Sequence, residues 1–304
     1  MATITIIGTG LIGCSFGMAL RKHGHFVIGC DKIMANLEQA KTTGAIDAPS
    51  HSGNQSCLFG RQAINQSTIV ILATPVDHIL ETLPQVLDNL PNDAVVIDTG
   101  STKMAICQSV QNHPRRNAFI ASHPMAGSEQ SGPSSARANL FKGKTVAICE
   151  RELSSEQSLN KAMEIFSQVG LRSIFLTPTQ HDCNAALVSH LPQIMAYAYA
   201  GLPEFRESTS QSWSKMASSG FDSSTRLAAS IPEVWLPILS QNKEFVVDAL
   251  RSLGQTIDLL ADNLSENNLT PLQTLMERAR KTRATYESKQ SAKSEEIEII
   301  SLTK

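Results

Sequence analysis

No two of the six cysteines in this 304-residue chain form a C-x-x-C pair; Cys14, Cys30, Cys57, Cys107, Cys149 and Cys183 are scattered along it. That excludes zinc knuckles and redox dithiols, leaves no metal site to expect, and fits reduced thiols. There is no concentrated basic segment either. The net charge is -2, with acids and bases mixed throughout, which argues against a nucleic-acid partner. A small anionic substrate is still allowed, because one or two arginines suffice to hold one. No apolar run reaches membrane length, and the first, "TITIIG", opens at residue 3 without a basic leader. The expectation is a cytoplasmic protein with no membrane contact. The sequence shows no internal repeat, and no regulatory domain is expected after residue 290.

What is present is a 41% apolar composition, enough for a substantial core, and a length suited to two domains. The first half alternates short β-branched runs with helix-length segments. Candidate strands are "TITIIG", "FVIGCD", "TIVILAT", "AVVIDTG", "AFIAS", "TVAIC" and "SIFLT". Most are continuously apolar, as strands covered on both faces must be. Alternation with helical stretches such as "GCSFGMALRKHG" and "VDHILETLPQVLDNL" predicts an α/β fold: a doubly wound sheet of parallel strands joined by right-handed crossovers.

The first turn reads "GTGLIG". Gly8, Gly10 and Gly13, with Leu11 and Ile12 between them, form G-x-G-x-x-G directly after a strand and at the opening of a helix. Glycines here permit a tight turn and let backbone N–H groups reach a pyrophosphate at the helix N-terminus. Asp31 ends the second strand, 18 residues past Gly13. A carboxylate there accepts hydrogen bonds from ribose hydroxyls and repels a 2′-phosphate, so NAD is expected in preference to NADP. The adjacent cation, Lys32, pulls the other way. Thr74-Pro75 and Thr99-Gly100-Ser101 end later strands, on the edge where such sheets bind ligands. Thr74 and Pro75 read equally as cofactor contacts and as an ordinary helix-opening turn. Ser101 reads as functional, because its strand end should neighbour the one carrying His123.

After "SIFLTP" the strand signals stop. The expected division is a nucleotide-binding domain at 1–177, a helical domain at 178–288 and a disordered tail at 289–304. Val246, Leu250, Leu253, Ile257, Leu260 and Leu264 follow 4-3-4-3-4 spacing, an apolar seam on a helix expected to begin near "IPEVW". On pattern alone the seam fits an intrachain bundle and a dimer interface equally well. A second helix is expected from the Thr-Pro pair of "LTPLQTLMERARKTRATY".

"GTGLIG", "ILATPVD", "DTGSTK", "SHPMAGSEQSG", "HDCNAALVSHLPQ" and "ASSGFDSSTRLAASIPEVW" occur in this order. Together they resemble the prephenate/arogenate dehydrogenase family over residues 3 to 285. The His-Pro-Met-Ala-Gly and Gly-Phe…Thr-Arg blocks are specific to that family; the glycine turn is not. The resemblance implies a Rossmann-like N-terminal domain and an all-helical C-terminal domain through which two subunits interlock. It implies an NAD-dependent oxidative decarboxylation of a small dicarboxylate in tyrosine biosynthesis.

It also implies roles. His123, which by itself reads more readily as a satisfied histidine in a β-turn, matches the catalytic base. Ser101 matches a serine bonded to the substrate hydroxyl and to that histidine. Ser128 falls where a hydroxyl residue meets substrate in relatives, and Arg226 matches the arginine that grips a carboxylate. His190 and Gln193 share a helical face toward substrate. Here the chain reads His-Leu-Pro-Gln where many relatives read His-Leu-Pro-His, so a group able to become cationic is replaced by an amide. His181 and Asp182 are expected only to cap a helix or serve structure. Rival readings are a β-hydroxyacid-type dehydrogenase, for which no glycine-rich helix with an acid/base lysine is found, and a non-catalytic dinucleotide-binding protein.

Overall fold

The computed structural model describes residues 1–51, 60–205 and 213–302. Eight strands form one sheet: β1 (Thr3–Ile7), β2 (Phe26–Asp31), β3 (Ala48–His51), β4 (Ile69–Leu72), β5 (Val95–Asp98), β6 (Phe119–Pro124), β7 (Thr145–Cys149) and β8 (Arg172–Leu176). Their order is β3-β2-β1-β4-β5-β6-β7-β8. The chain builds outward from β1 to β3, then returns to lay β4 against the other side of β1. This reversal opens the crevice where such sheets take ligands.

All seven expected strands are present. β3 is an eighth, in "APSH", which lacks any β-branched residue. The expectation of an all-parallel sheet is corrected at one edge: β7 runs antiparallel to β6, pairing His123 with Ala147, and β8 is parallel to β7. The link from Pro124 to Thr145 contains only a single 3₁₀ turn, Pro133–Ser135. A parallel return needs a crossover, usually helical.

Helices cover both faces. α1 (Leu11–Lys22), α2 (Met34–Thr42) and α6 (Glu156–Gln168) bury Phe16, Leu20, Leu37, Ile165 and Phe166 against one side. α3 (Arg61–Asn65), α4 (Val76–Asn89) and α5 (Met104–Ser109) bury Ile64, Ile79, Leu83, Leu87 and Ile106 on the other. β4 and the first three residues of β5 are therefore apolar on both faces, and β1, though it alternates Thr with Ile, is covered on both faces as well.

From Pro178 on, every described element is helical. α7 (Pro178–Ala185) starts at a capping box in which Thr177 and Gln180 bond each other's backbone. The cap is therefore Thr177, not His181 or Asp182. A π turn, Ala186–His190, joins α7 to α8 (Leu191–Phe205). Pro192 has no N–H to offer the carbonyl four residues back, and the widened turn absorbs that loss. α9 (Trp213–Met216) and α10 (Ser219–Thr225) precede a 3₁₀ turn, Arg226–Ala229. α11 (Pro232–Gln241) opens with Pro232 in its first turn, as expected at "IPEVW". The seam helix, however, is a separate one, α12 (Lys243–Ser265), because the chain breaks at Asn242.

The last strand ends at Leu176, yet the chain divides into compact units elsewhere: Met1–Val246 and Val247–Lys304. The reason is that α7 packs on α5 and β7, and α11 on α4, so the first helices join the sheet's unit. In place of the expected disordered tail, α13 (Leu269–Leu302) is helical throughout; Thr303 and Lys304 lie outside the described residues. Residues 289–302 include three Glu and two Lys, which favour helix. No helix among the described residues is long and apolar enough to cross a membrane.

Gly13 sits where the turn after β1 packs on α1. A Cβ there would lie 2.0 Å from the Gly8 carbonyl oxygen and 2.9 Å from Ile6 Cγ2. Gly13→Ala is expected to destabilise the protein by about 1–3 kcal/mol, the usual cost of overpacking. Urea unfolding measures it; an unchanged midpoint would contradict this packing.

Candidate active site

The glycine turn is shaped as a receptor for an anion. Gly8 has φ +97°, and a Cβ there would strike the Ala73 carbonyl at 2.5 Å, so the turn after β1 lies hard against the end of β4. Gly10 is the N-cap of α1 and has open space on its Cβ side. No side chain caps α1 and no acid occupies its first turn. Its N–H groups and positive dipole end are left for a ligand. Leu11 is buried in the core while Ile12 is half-buried. Thr74 carries a buried hydroxyl without a hydrogen-bond partner among the described residues, and Pro75 is the exposed N-cap of α4. An uncapped helix end, a glycine cradle and an orphan hydroxyl together fit a dinucleotide.

Asp31 stands at the end of β2 with both oxygens engaged. Oδ2 accepts from the Thr9 N–H and hydroxyl, each at 2.9 Å, and Oδ1 from the Ile33 N–H at 2.9 Å. The carboxylate thus fixes the glycine turn from the end of β2. Lys32 Nζ lies 3.5 Å from His78 Nε2 on the exposed side.

His123 ends β6 next to Pro124 and is only 8% exposed. Its Nδ1 lies 2.9 Å from Nε2 of His181, whose own Nδ1 lies 2.7 Å from Asp182 Oδ1. Asp182 also accepts from the backbone N–H groups of Lys103 (2.7 Å) and Met104 (2.9 Å). Burial alone would raise the Asp182 carboxyl, but the His181 N–H and these two amides outweigh it and hold it below its usual range. Burial, then His181, Lys103 and His190, push His123 well below the ordinary histidine value. It is a neutral imidazole at physiological pH. Lys103 itself is fully buried and ion-paired with Asp98.

The histidine partner expected from the sequence is thus replaced. Ser101 makes no hydrogen bond to His123; its half-buried hydroxyl has no partner among the described residues and is free for a ligand. His181 contacts the ring instead, backed by Asp182. No local sequence signal marks this, because 58 residues separate His123 from His181.

His190 is fully buried on the π turn. Its Nδ1 lies 3.0 Å from Asn242 Nδ2, while Nε2 has no hydrogen-bond partner among the described residues. Gln193 is also buried, but its amide donates to the Leu227 carbonyl at 2.7 Å. That amide is therefore committed to pinning the turn that carries Arg226. Arg226 is half-exposed and paired with Glu129. Ser128, beside Glu129 on an exposed loop, bonds only Gln130 locally among the described residues.

A doubly wound sheet with an open glycine cradle, and a buried neutral histidine two strands beyond β4, define a dinucleotide-dependent dehydrogenase. The comparisons give the particular family. The model of the prephenate dehydrogenase nucleotide-binding domain matches residues 16–175, and that of the prephenate dehydrogenase dimerization domain matches residues 177–278. The chain belongs to the prephenate dehydrogenase family. It is 28% identical over 260 residues to the prephenate dehydrogenase of Bacillus subtilis, covering 84% of this chain and 68% of that one. A crystal structure of prephenate dehydrogenase from A. aeolicus with hydroxyphenyl propionate and NAD+ matches at TM-score 0.84 and 26% identity, over 94% of this chain and 98% of that one. Synechocystis arogenate dehydrogenase matches at TM-score 0.74 and 26% identity, over 93% and 99%.

Burial lowers the His190 pKa from 6.5 to about 4. The unfolded chain therefore binds the proton first as pH falls. The stability tied to His190 is full above pH 6.5 and is lost as pH drops to about 4. The loss amounts to roughly 3 kcal/mol at 1.36 kcal/mol per unit. His190→Gln should flatten the acid side of the stability curve by that order. Urea titrations at several pH values test it, and an unaltered acid slope would contradict it.

Proposed function

We propose that the protein catalyses NAD-dependent oxidative decarboxylation of prephenate to 4-hydroxyphenylpyruvate, of arogenate to tyrosine, or of both. The observation that carries this is His123: a buried imidazole kept neutral at a strand end on the ligand edge of a dinucleotide-binding sheet. NAD, held by Gly8, Gly10, Leu11, Ile12, Gly13, Asp31, Thr74 and Pro75, supplies the hydride acceptor when bound. The chain's own residues handle the proton and the carboxylates.

As hydride leaves C4 of the cyclohexadienol ring, the C4 hydroxyl becomes acidic because a carbonyl is forming. A neutral imidazole within hydrogen-bond reach takes that proton, which is the role assigned to His123. The ring carboxylate then leaves as carbon dioxide, driven by aromatisation; its bonding pair passes through the ring to the C4 oxygen, which takes a proton back from His123 as the phenol forms. The unpartnered Ser101 hydroxyl is suited to bond the substrate hydroxyl. The buried Nε2 of His190 is a further polar group left for substrate. The Arg226 guanidinium offers a fork for a substrate carboxylate, which would compete with Glu129 for it. Ser128, next to that pair, is assigned to the same end of the substrate. Gln193 is assigned an indirect part, holding the Arg226 turn through Leu227.

The reading also divides the chain into a nucleotide-binding domain, 1–177, and a helical domain, 178–288, through which two copies join. The family model matched by residues 177–278 is that of a dimerization domain. Along α12, Ile257 is 51% and Leu264 61% exposed in the single chain. An apolar seam of this kind fits a second copy.

Turnover with NAD or NADP and each of prephenate and arogenate, followed by reduced-nicotinamide absorbance, tests the activity. Reduction with neither substrate would overturn the reading. His123→Asn is expected to lower kcat by about 10²–10⁴-fold while NAD affinity survives. Unchanged turnover would remove His123 from the mechanism. Leu264→Asp should shift the sedimentation coefficient from that of a dimer to that of a monomer, and an unmoved dimer would place the interface elsewhere.

A further inference from the structure

The hydrogen bonds around Asp182 determine where the protons sit on two histidines. Asp182 is ionised and accepts three N–H groups: those of Lys103, Met104 and His181. A carboxylate offers only acceptors, so the proton on His181 lies on Nδ1, facing Oδ1. His181 Nε2 then faces His123 Nδ1 across 2.9 Å with room for one proton. With His181 neutral, its Nε2 accepts, His123 Nδ1 carries the proton, and His123 Nε2 is left with a lone pair. In water a free imidazole favours the opposite tautomer, with the proton on Nε2. The surroundings enforce the arrangement: His123, His181 and Asp182 are 8%, 2% and 1% exposed, and α7 is fixed at its start by the Thr177 capping box.

We propose that His181 and Asp182 form a proton relay behind His123, fixing its Nε2 as the basic nitrogen and receiving the charge that develops during turnover. The proposal rests on the reading of His123 as the base. The bookkeeping is closed. The substrate O–H bond breaks as an N–H bond forms at His123 Nε2. The His123 Nδ1–H bond then breaks as an N–H bond forms at His181 Nε2. Two protons have each moved one step, one net positive charge has passed to His181, no electrons have been exchanged with the relay, and Asp182 stays ionised; the reverse transfers give a proton back to the C4 oxygen as the phenol forms. The positive charge ends on the ring that touches the carboxylate. On His123 alone it would sit near the buried Lys103 ammonium and His190, in surroundings that disfavour it. Asp98 meets the Lys103 charge from the other side. His181 and Asp182 are thus positioning residues that act through His123, as the third group of a nucleophile–base–orienter set does.

The test reads the tautomer directly. ¹⁵N spectra of histidine-labelled protein, with His123→Asn used to assign the His123 signals, should show wild-type His123 protonated on Nδ1 without any substrate present. In His181→Phe the same ring should revert to the Nε2–H form. A wild-type His123 already in the Nε2–H form, or one unmoved by His181→Phe, would overturn the relay. This readout does not depend on which substrate the enzyme uses, so it fails or succeeds separately from the proposed activity. In turnover, His181→Phe should lower kcat by about 10²–10⁴-fold, the scale of losing a tautomer-fixing partner. KM and NAD affinity should stay within about twofold. His181→Gln, whose amide oxygen can still accept from His123 Nδ1, should restore the tautomer but not the full rate, since it cannot take the proton. A Gln variant with wild-type kcat would remove the proton-accepting half of the proposal. Should His181→Phe fail to fold, the wild-type tautomer and the His181→Gln rate decide.

Discussion

The site depends on one buried carboxylate. Asp182 brings a negative charge into a region with almost no solvent, and it is stable there because three N–H groups converge on it. Two of them belong to the loop and helix start after β5, and the third to the imidazole beside it. Its own backbone carbonyl accepts from Asn242, the residue at which α11 gives way to α12. One residue therefore joins the segment after a central strand, the first helix beyond the sheet and the break before the long helix. Removing one partner of such a buried set typically costs about 3–5 kcal/mol, because the remaining charge is left without compensation.

Lys103 links this carboxylate to a second one. Its backbone N–H goes to Asp182 and its ammonium to Asp98 at the end of β5. Asp98 in turn accepts from the Ser122 backbone N–H, and its carbonyl accepts from the Ser122 hydroxyl, across to β6. Ser122 immediately precedes His123, so the histidine is held from both sides: by the strand ladder through Asp98 and by the imidazole of His181. A buried ammonium is tolerable only with such a partner, and it helps keep the neighbouring imidazole uncharged.

The strands were legible in the sequence wherever they are buried on both faces, since "TITII", "IVIL" and "VVID" are runs that little else produces. β3 was not, because Ala-Pro-Ser-His has no β signature and owes its extended form to pairing with β2. Nor is strand direction written in a strand: the reversal at β7 shows only in the missing helix before it. The glycine turn, Asp31 and His123 were expected at the ends of strands from the local pattern, and they lie there. His181 and Asp182 read as structural residues, and Asp182 does tie three segments together; their link to His123 was not legible because that contact is made across the fold. The Asn242 break hid inside an apolar pattern that continues on both sides, although the side chain there is drawn inward to His190 and the Asp182 carbonyl.

Because β7 begins on the same edge where β6 ends, the chain between them never crosses the sheet. The two ends of this excursion are tied by the Met125 N–H to the Thr145 carbonyl. Residues 133–143 return to the core through Pro133, Leu140 and Phe141, but 126–132 form a largely exposed apex that carries Ser128 and Glu129. Lengthening or shortening that apex leaves every strand register where it is, at a closure cost that grows only slowly with length. The fold thus separates the part that must keep its geometry from an exposed rim whose length the strands beneath it do not fix.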